Sequence, residues 1–210
     1  MESLVASVPL RNEPVQARST ARLTALLDSA AAVVDEIGFE RLTTALVADR
    51  AGASIGTVYR YFPERIAILR ALGVRNFERL IGQLTSAAAD AQHKNWGEAV
   101  EAALDVLVSA FRSERSFRSL RVGDVIDVRP AENDRTFNSL VAEAMLSAVA
   151  PRFGMSRDAQ TQLAFEHAYE VADALAARAF AFSGEGDPAF LAAAVRTAKA
   201  VLVEHCGEPA

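Results

Sequence analysis

Cysteine is all but missing: among 210 residues only Cys206 carries a thiol. No intrachain disulfide can form, so the fold must rest on buried apolar surface, and a reducing compartment, the cytoplasm, is expected. Long apolar runs are missing as well. No stretch reaches the roughly 18 uninterrupted apolar residues that span a bilayer, and the opening MESLVASVPLRNEPVQ has neither the cationic start nor the apolar run of a signal peptide. No membrane partner is expected. The three histidines, His93, His167 and His205, stand far apart with no cysteine or carboxylate at metal-ligand spacing, which argues against a zinc site. The chain also lacks a G-x-S-x-G elbow, a G-x-x-x-x-G-K phosphate loop and a G-x-G-x-x-G turn. Neither a nucleophile nor a cofactor cradle is visible, so no enzyme and no cofactor are expected.

What is present describes a folded, helical protein. Half the chain is apolar (51%), charged residues make up 23%, and 11 Gly and 7 Pro are modest numbers for this length. The length admits two helical domains. A net charge of −5 speaks at first against a nucleic-acid partner, because affinity for DNA comes largely from cations meeting phosphates. Its distribution says more. Residues 1–75 hold nine Arg, no Lys and eight acids, for 9 − 8 = +1, whereas residues 76–210 hold 13 cations and 19 acids, for 13 − 19 = −6. A basic end and an acidic body result.

After a loose tail over residues 1–17, which carries Pro9 and Pro14, the chain enters a periodic segment. Leu23, Leu26, Leu27, Ala30, Val33, Val34 and Ile37 recur at steps of three and four, one stripe of a helix from Arg18 to Ile37 that ends at Gly38. Thr43 and Thr44 offer hydroxyl caps for a brief helix carrying Leu46, Val47 and Ala51. Gly52 supplies a tight turn, Ser54 an N-cap, and a second helix of about two turns follows to Phe62. Two short helices joined this way form a helix-turn-helix, in which the second needs the first as a platform. Val58 and Phe62, four apart, face that platform.

Ile55, Thr57, Tyr59, Arg60 and Tyr61 are thereby distributed over exposed and flanking surfaces, where phenol hydroxyls, a methyl-bearing hydroxyl and a cationic fork suit a DNA groove. The competing assignment for Tyr59 and Tyr61 is simple core aromatics. A further helix restarts at Pro63-Glu64, with Arg65 one turn in and within reach of a phosphate.

The run from Arg22 to Leu72 has L-T-T-A-L-V-A at 42–48, A-G-A-S-I-G-T-V-Y-R-Y-F at 51–62 and P-E-R-I-A-I-L at 63–69. It resembles the DNA-binding domain of the tetracycline-repressor (TetR) family over about fifty residues. The resemblance implies that Thr44, Thr57, Tyr59 and Tyr61 meet the DNA backbone and that Ser54, Ile55, Gly56 and Arg60 lie on the groove-facing helix. Arg65 stands where the family usually has lysine, and can grip a phosphate with two parallel bonds. With Thr43 these residues make up the expected DNA-contacting set. Ala45 offers only apolar contact.

The expected fold is all-α: a three-helix helix-turn-helix domain over residues 18–72, then a helical-bundle ligand-binding and dimerisation domain over 73–210. The helix begun at Pro63 should run to about Ala91, and Trp96–Phe111 is another. Residues 112–135 are expected to be irregular, and Phe137–Val149 helical until Pro151 and Gly154 break it. Two closing helices follow, Asp158–Phe182 and Pro188–His205, joined by a turn containing Gly184 and Gly186.

The closing pair has a thin apolar flank: Ala164, Ala168, Val171, Ala172, Leu175, Ala176 and Ala179 on one helix, Leu191, Ala194, Val195, Ala198 and Leu202 on the other. Regulators of the resembled family dimerise through such a pair, forming a four-helix bundle on a two-fold axis. The same ladder could also pack within one chain.

A small, largely apolar effector is expected near Phe111, Phe117, Phe137, Met145, Phe165 and Tyr169, with Arg121 and His167 as polar neighbours. For His167 the alternative is a satisfied buried histidine, and for Arg121 a surface charge network with Asp124, Asp127 and Arg129. The functional expectation is a homodimeric, ligand-released repressor on a palindromic operator of double-stranded DNA. An architectural DNA-binding protein without an effector, or a helical enzyme or binding module, stands as the alternative.

Overall fold

The computed structural model describes residues 17–122 and 136–209, and every regular element among the described residues is helical. The order is α1 (Ala17–Ile37), a 3₁₀ turn (Phe39–Arg41), α2 (Thr44–Arg50), α3 (Ile55–Tyr61), α4 (Arg65–Ala88) and α5 (Trp96–Ser113). Then come α6 (Arg115–Val122), α7 (Phe137–Phe153), α8 (Ala159–Phe180) and α9 (Pro188–Cys206). The all-α class is as expected. The tail before Ala17, and Gly123, Asp124, Asp127, Arg129 and Pro130 in the stretch expected to be irregular, lie outside the described residues.

The chain divides into two compact units. One takes the described residues up to Glu78 and those from Glu114 to the end of α6; the other takes Arg79–Ser113 and residues 136–209.

In the first unit the α1 stripe from Leu23 to Val34 is buried, and the helix stops where Gly38 takes φ 86°. Ile37, at its very end, is exposed. Both short helices are capped by a side-chain hydroxyl: Leu46 N donates to Thr43 Oγ1 at 3.1 Å, and Thr57 N to Ser54 Oγ at 3.2 Å. Each cap contributes on the order of 1 kcal/mol, which matters for seven-residue helices too short to persist alone. Between them Gly52 holds φ 56°, and Ala53 N reaches back to the Ala48 carbonyl at 2.9 Å. The start of α4 buries Ala67, Ile68, Leu69, Ala71 and Leu72 and keeps Arg70 exposed.

Residues 115–122 correct the expectation of irregular chain. They form α6, whose N-terminus is capped from a distance: Ser116 N donates to Asp35 Oδ1 of α1 at 2.6 Å, and Arg115 Nη1 to the Asp35 carbonyl at 3.0 Å. Phe117 meets Phe77 edge to face at 6.2 Å. Phe117 is therefore buried in the core of the first unit, apart from the second unit where the other expected effector residues lie.

The second unit is built from α5, α7, α8 and α9 with the last turns of α4. Pro151 does not break α7. It sits in the last turn, where its missing N–H forgoes one late bond, and the helix closes at Gly154 in the left-handed conformation, φ 63°. Asp158 caps α8, and Asp187 caps α9 with Pro188 in its first turn.

Much of the alanine ladder is packed inside the chain. Ala164, Ala168, Ala172, Ala176 and Ala179 of α8 and Ala194, Ala198 and Leu202 of α9 are buried within one subunit. Small side chains at this seam let α8 and α9 approach closely. Val171, Leu175, Leu191 and Val195 remain half-exposed beside the seam.

Candidate nucleic-acid interface

Turning α3 on the platform of α2 decides which of its side chains are available. Val58, Tyr61 and Phe62 point inward. Tyr61 is only 2% exposed, and its hydroxyl lies 3.0 Å from Ser19 Oγ and 3.4 Å from the Ser19 carbonyl of α1. This corrects the expected role of Tyr61. Spaced three residues from Val58, it anchors α3 to α1 and presents no hydroxyl to a ligand.

Tyr59 behaves in the opposite way. It is 41% exposed, and its hydroxyl accepts from Thr44 Oγ1 at 3.3 Å, joining the end of α3 to the start of α2. Ile55 is 43% exposed at the first position of α3, and Ser54, Gly56 and Arg60 are exposed around it. Thr57 is half-buried, its Oγ1 2.9 Å from Ser54 Oγ. The Arg60 guanidinium lies 5.3 Å from the centroid of the Tyr61 ring, a cation–π distance that leaves an exposed arginine partly ordered. Thr43 is exposed and Thr44 half-buried. The structure thus brings Thr43, Thr44, Ser54, Ile55, Gly56, Thr57, Tyr59 and Arg60 to the accessible surface of α2 and α3, and withdraws Tyr61.

The cations sort in the same way. Arg50 and Glu36 form a two-pronged ion pair, both bonds 2.6 Å. Hydrogen bonding to Arg50 holds the Glu36 carboxyl below its ordinary range, and the same bond raises the Arg50 guanidinium. Arg75 is bound to Asp28 at 2.6 Å and to the Leu27 carbonyl. Arg65 Nη1 donates to the Glu40 carbonyl at 2.7 Å, bracing the 3₁₀ turn, with the side chain half-exposed. Arg18, Arg22 and Arg41 are exposed. A surface with phenol, hydroxyl and guanidinium donors and two bulky aliphatic side chains, Ile55 and Leu46, can meet phosphates and base edges together.

Two exposed residues have environments that the sequence analysis does not give. Leu46 on α2 is exposed beside the Thr43 cap, while its neighbours Val47 and Ala48 are buried. Asp35, the remote cap of α6, carries no local signal at all.

In the second unit Phe111, Phe137, Met145, Phe165 and Tyr169 are buried, with Phe111 stacked on Phe180 at 5.5 Å. His167 is exposed on α8, which corrects the alternative of a satisfied buried histidine. The side chain of Arg121 lies outside the described residues. Asn138, buried on α7, donates through Nδ2 to Glu170 Oε2 at 2.8 Å and, more weakly, to Asp173 Oδ2 at 3.4 Å; its Oδ1 has no hydrogen-bond partner among the described residues. Two surface clefts are polar-rimmed: one of about 520 Å³ includes Glu143, Arg157, Gln162 and Glu166, and one of about 500 Å³ includes Trp96, Met155, His205 and Cys206. Neither is lined by the residues expected around an effector. Among the described residues no cluster of His, Cys, Asp or Glu has metal-binding geometry, and no helix is long and apolar enough to cross a membrane.

Residues 26–72 match the family described as bacterial regulatory proteins, tetR family, and residues 94–206 match the tetracyclin repressor-like C-terminal domain. A TetR-family transcriptional regulator from Streptomyces coelicolor is similar in structure at TM-score 0.70 and 30% identity, covering 87% of this chain and 98% of that one. A TetR-family regulator from Pectobacterium atrosepticum shares the fold at TM-score 0.70 and 17% identity, over 93% of this chain and 100% of the other. The HTH-type transcriptional repressor KstR of Mycolicibacterium smegmatis is 36% identical over 63 residues, 30% of this chain and 31% of that repressor. The match therefore spans under a third of the length of that curated relative. These relatives are regulators and not enzymes. The chain belongs to the tetR family of bacterial regulatory proteins.

Proposed function

We propose that this protein is a dimeric transcriptional repressor that holds a palindromic operator through α2 and α3 and releases it when a small molecule binds its C-terminal unit. The observation that carries this reading is the outward-facing set Ile55, Tyr59 and Arg60 on a capped two-turn helix braced by α2. The similarity to KstR repressors supports repression over activation. An N-terminal helix pair of this size reads one half-site, so two copies related by a two-fold axis would enter successive major grooves about 34 Å apart. Thr43, Thr44, Thr57 and Tyr59 would position the backbone, and Ser54, Ile55, Gly56 and Arg60 would face the bases. Arg65 braces the 3₁₀ turn first and contributes its remaining donors to phosphate second. A compartment that contains DNA, the cytoplasm, follows from this role.

The dimer surface is reassigned to what the α8–α9 pair leaves exposed. Leu163 is 50% exposed and Phe182 87%, and the Arg178 guanidinium stands 5.0 Å from the Phe182 ring centroid and 4.7 Å from that of Phe190. Exposed aliphatic and aromatic side chains around a stacked arginine are what a protein–protein contact buries first. Half-exposed Val171, Leu175, Leu191 and Val195 extend the surface.

The effector site is assigned to the interior around Phe111, Phe137, Met145, Phe165 and Tyr169, which favours an apolar body. Asn138 Oδ1, buried and without a hydrogen-bond partner among the described residues, would be satisfied by a hydrogen-bond donor on such a molecule. Only a molecule with different affinity for the DNA-bound and released states can switch them.

Selection of bound duplexes from a random pool tests the proposal. An inverted repeat with half-site centres one helical turn apart is expected; binding indifferent to sequence would mark an architectural protein instead.

A further inference from the structure

The first turn of α3 offers DNA an unusually apolar tip. Ser54 Oγ accepts from Thr57 N and lies 2.9 Å from Thr57 Oγ1, so the two hydroxyls that flank Ile55 and Gly56 are turned toward each other. Gly56 has no side chain, and a Cβ built there would meet only Ser54 Oγ, at 3.9 Å. Ile55 keeps 43% of its surface in water. Leaving a β-branched aliphatic group so exposed gives up burial energy with no return inside the subunit. Phosphate cannot recover that energy, because an isoleucine makes no hydrogen bond. Of the groups on the major-groove edges of the four base pairs, only the C5-methyl of thymine is apolar.

We propose that Ile55 is a specificity-determining residue that reads a thymine methyl in each operator half-site. The inference rests on the reading that α3 enters the major groove and goes beyond it by naming the base. Cytosine presents an amino group and a bare C5 edge at the same place, so Ile55 would lose its apolar contact there and strand a donor against its side chain. Discrimination at this position then comes from desolvation and needs no hydrogen bond.

The test uses the full-length protein and a duplex selected by it from a random pool, with thymine replaced by uracil one position at a time. Uracil removes the methyl and leaves the Watson–Crick face unchanged. Fluorescence anisotropy should find one thymine per half-site whose replacement weakens binding about fourfold, the equivalent of about 0.8 kcal/mol for one methyl-sized group, and about sixteenfold when both half-sites are changed. Ile55→Ala should bind the thymine duplex more weakly and show no uracil penalty at that position, while Ile55→Val keeps part of it. An unchanged uracil penalty in Ile55→Ala, or a wild-type protein indifferent to uracil everywhere, overturns the assignment of Ile55 and leaves DNA binding standing. Absence of salt-dependent binding to any duplex overturns both.

Discussion

Tyr59 and Tyr61 are two residues apart on one short helix, yet one is exposed and the other buried, and removing a single oxygen from each tests the different roles proposed for them. In Tyr61→Phe the ring stays in place and only the hydroxyl that meets Ser19 is lost. A net hydrogen bond of this kind contributes about 1 kcal/mol. In a chain of this length that lowers the melting temperature by about 2–4 °C. Tyr61 is sealed, so its hydroxyl takes no part in phosphate contact, and the affinity for a selected duplex should stay within about twofold of wild type at every salt concentration. Tyr59→Phe removes a hydroxyl whose protein contact, with Thr44, is exposed and readily replaced by water. Its melting temperature should be unchanged within about 1 °C, whereas loss of a bond to a charged phosphate, about 1.5 kcal/mol or more, should weaken DNA binding at least about tenfold. Thermal unfolding followed by circular dichroism and anisotropy titration in a salt series supply both readouts. Weaker DNA binding by Tyr61→Phe at unchanged melting temperature would refute the assignment.

Ala172→Glu places a charge at a site only 1% exposed within α8, and should destabilise the subunit by about 3–5 kcal/mol; Leu163→Glu, on the exposed face, should give a folded monomer. Sedimentation velocity with thermal melts distinguishes them, and a stable monomeric Ala172→Glu would restore the alanine ladder as the interface. The Asp158 carboxyl, held to about 2 chiefly by its hydrogen bond from the Thr161 N–H, lies below its ordinary value of 3.8. Its stabilising cap is therefore complete above about pH 4 and lost as pH falls toward 2. Urea midpoints of wild type and Asp158→Ala should differ at pH 7 and converge in that acid window; a constant gap would contradict this. Burial, followed by the nearby Asp158 charge, pushes the Cys206 thiol up. Iodoacetamide at pH 7.5 should modify Cys206 more slowly than a free thiol in solution, and an equal rate would place it outside the cleft.

The helix-turn-helix could be read from sequence because its signals are local. Thr43, Gly52 and Ser54 each act within four residues of their own positions, through a cap or a positive φ. The orientation of α3 was harder. Val58 has both Tyr61 and Phe62 as same-face neighbours at three and four residues, and only the packing of α3 on α1 through Ser19 decides that both turn inward. α6 was hidden for a different reason. Its sequence RSFRSLRV is crowded with charge, and the carboxylate that caps it belongs to Asp35, 81 residues from Ser116. The thinness of the α8 and α9 flanks announced close packing but not the partner, since an alanine ladder fits an intrachain helix as well as a symmetry mate. Exposure of His167 follows from the same register: with Ala164, Ala168 and Ala172 turned to the core, position 167 faces outward.

Amide hydrogen exchange of the full chain, measured by mass spectrometry with and without a duplex selected from a random pool, locates the bound surface directly. Slower exchange confined to the segments bearing Thr43–Leu46 and Ser54–Arg60 is the predicted result. Protection elsewhere with none in α2 or α3 would contradict the claim that this helix pair holds DNA.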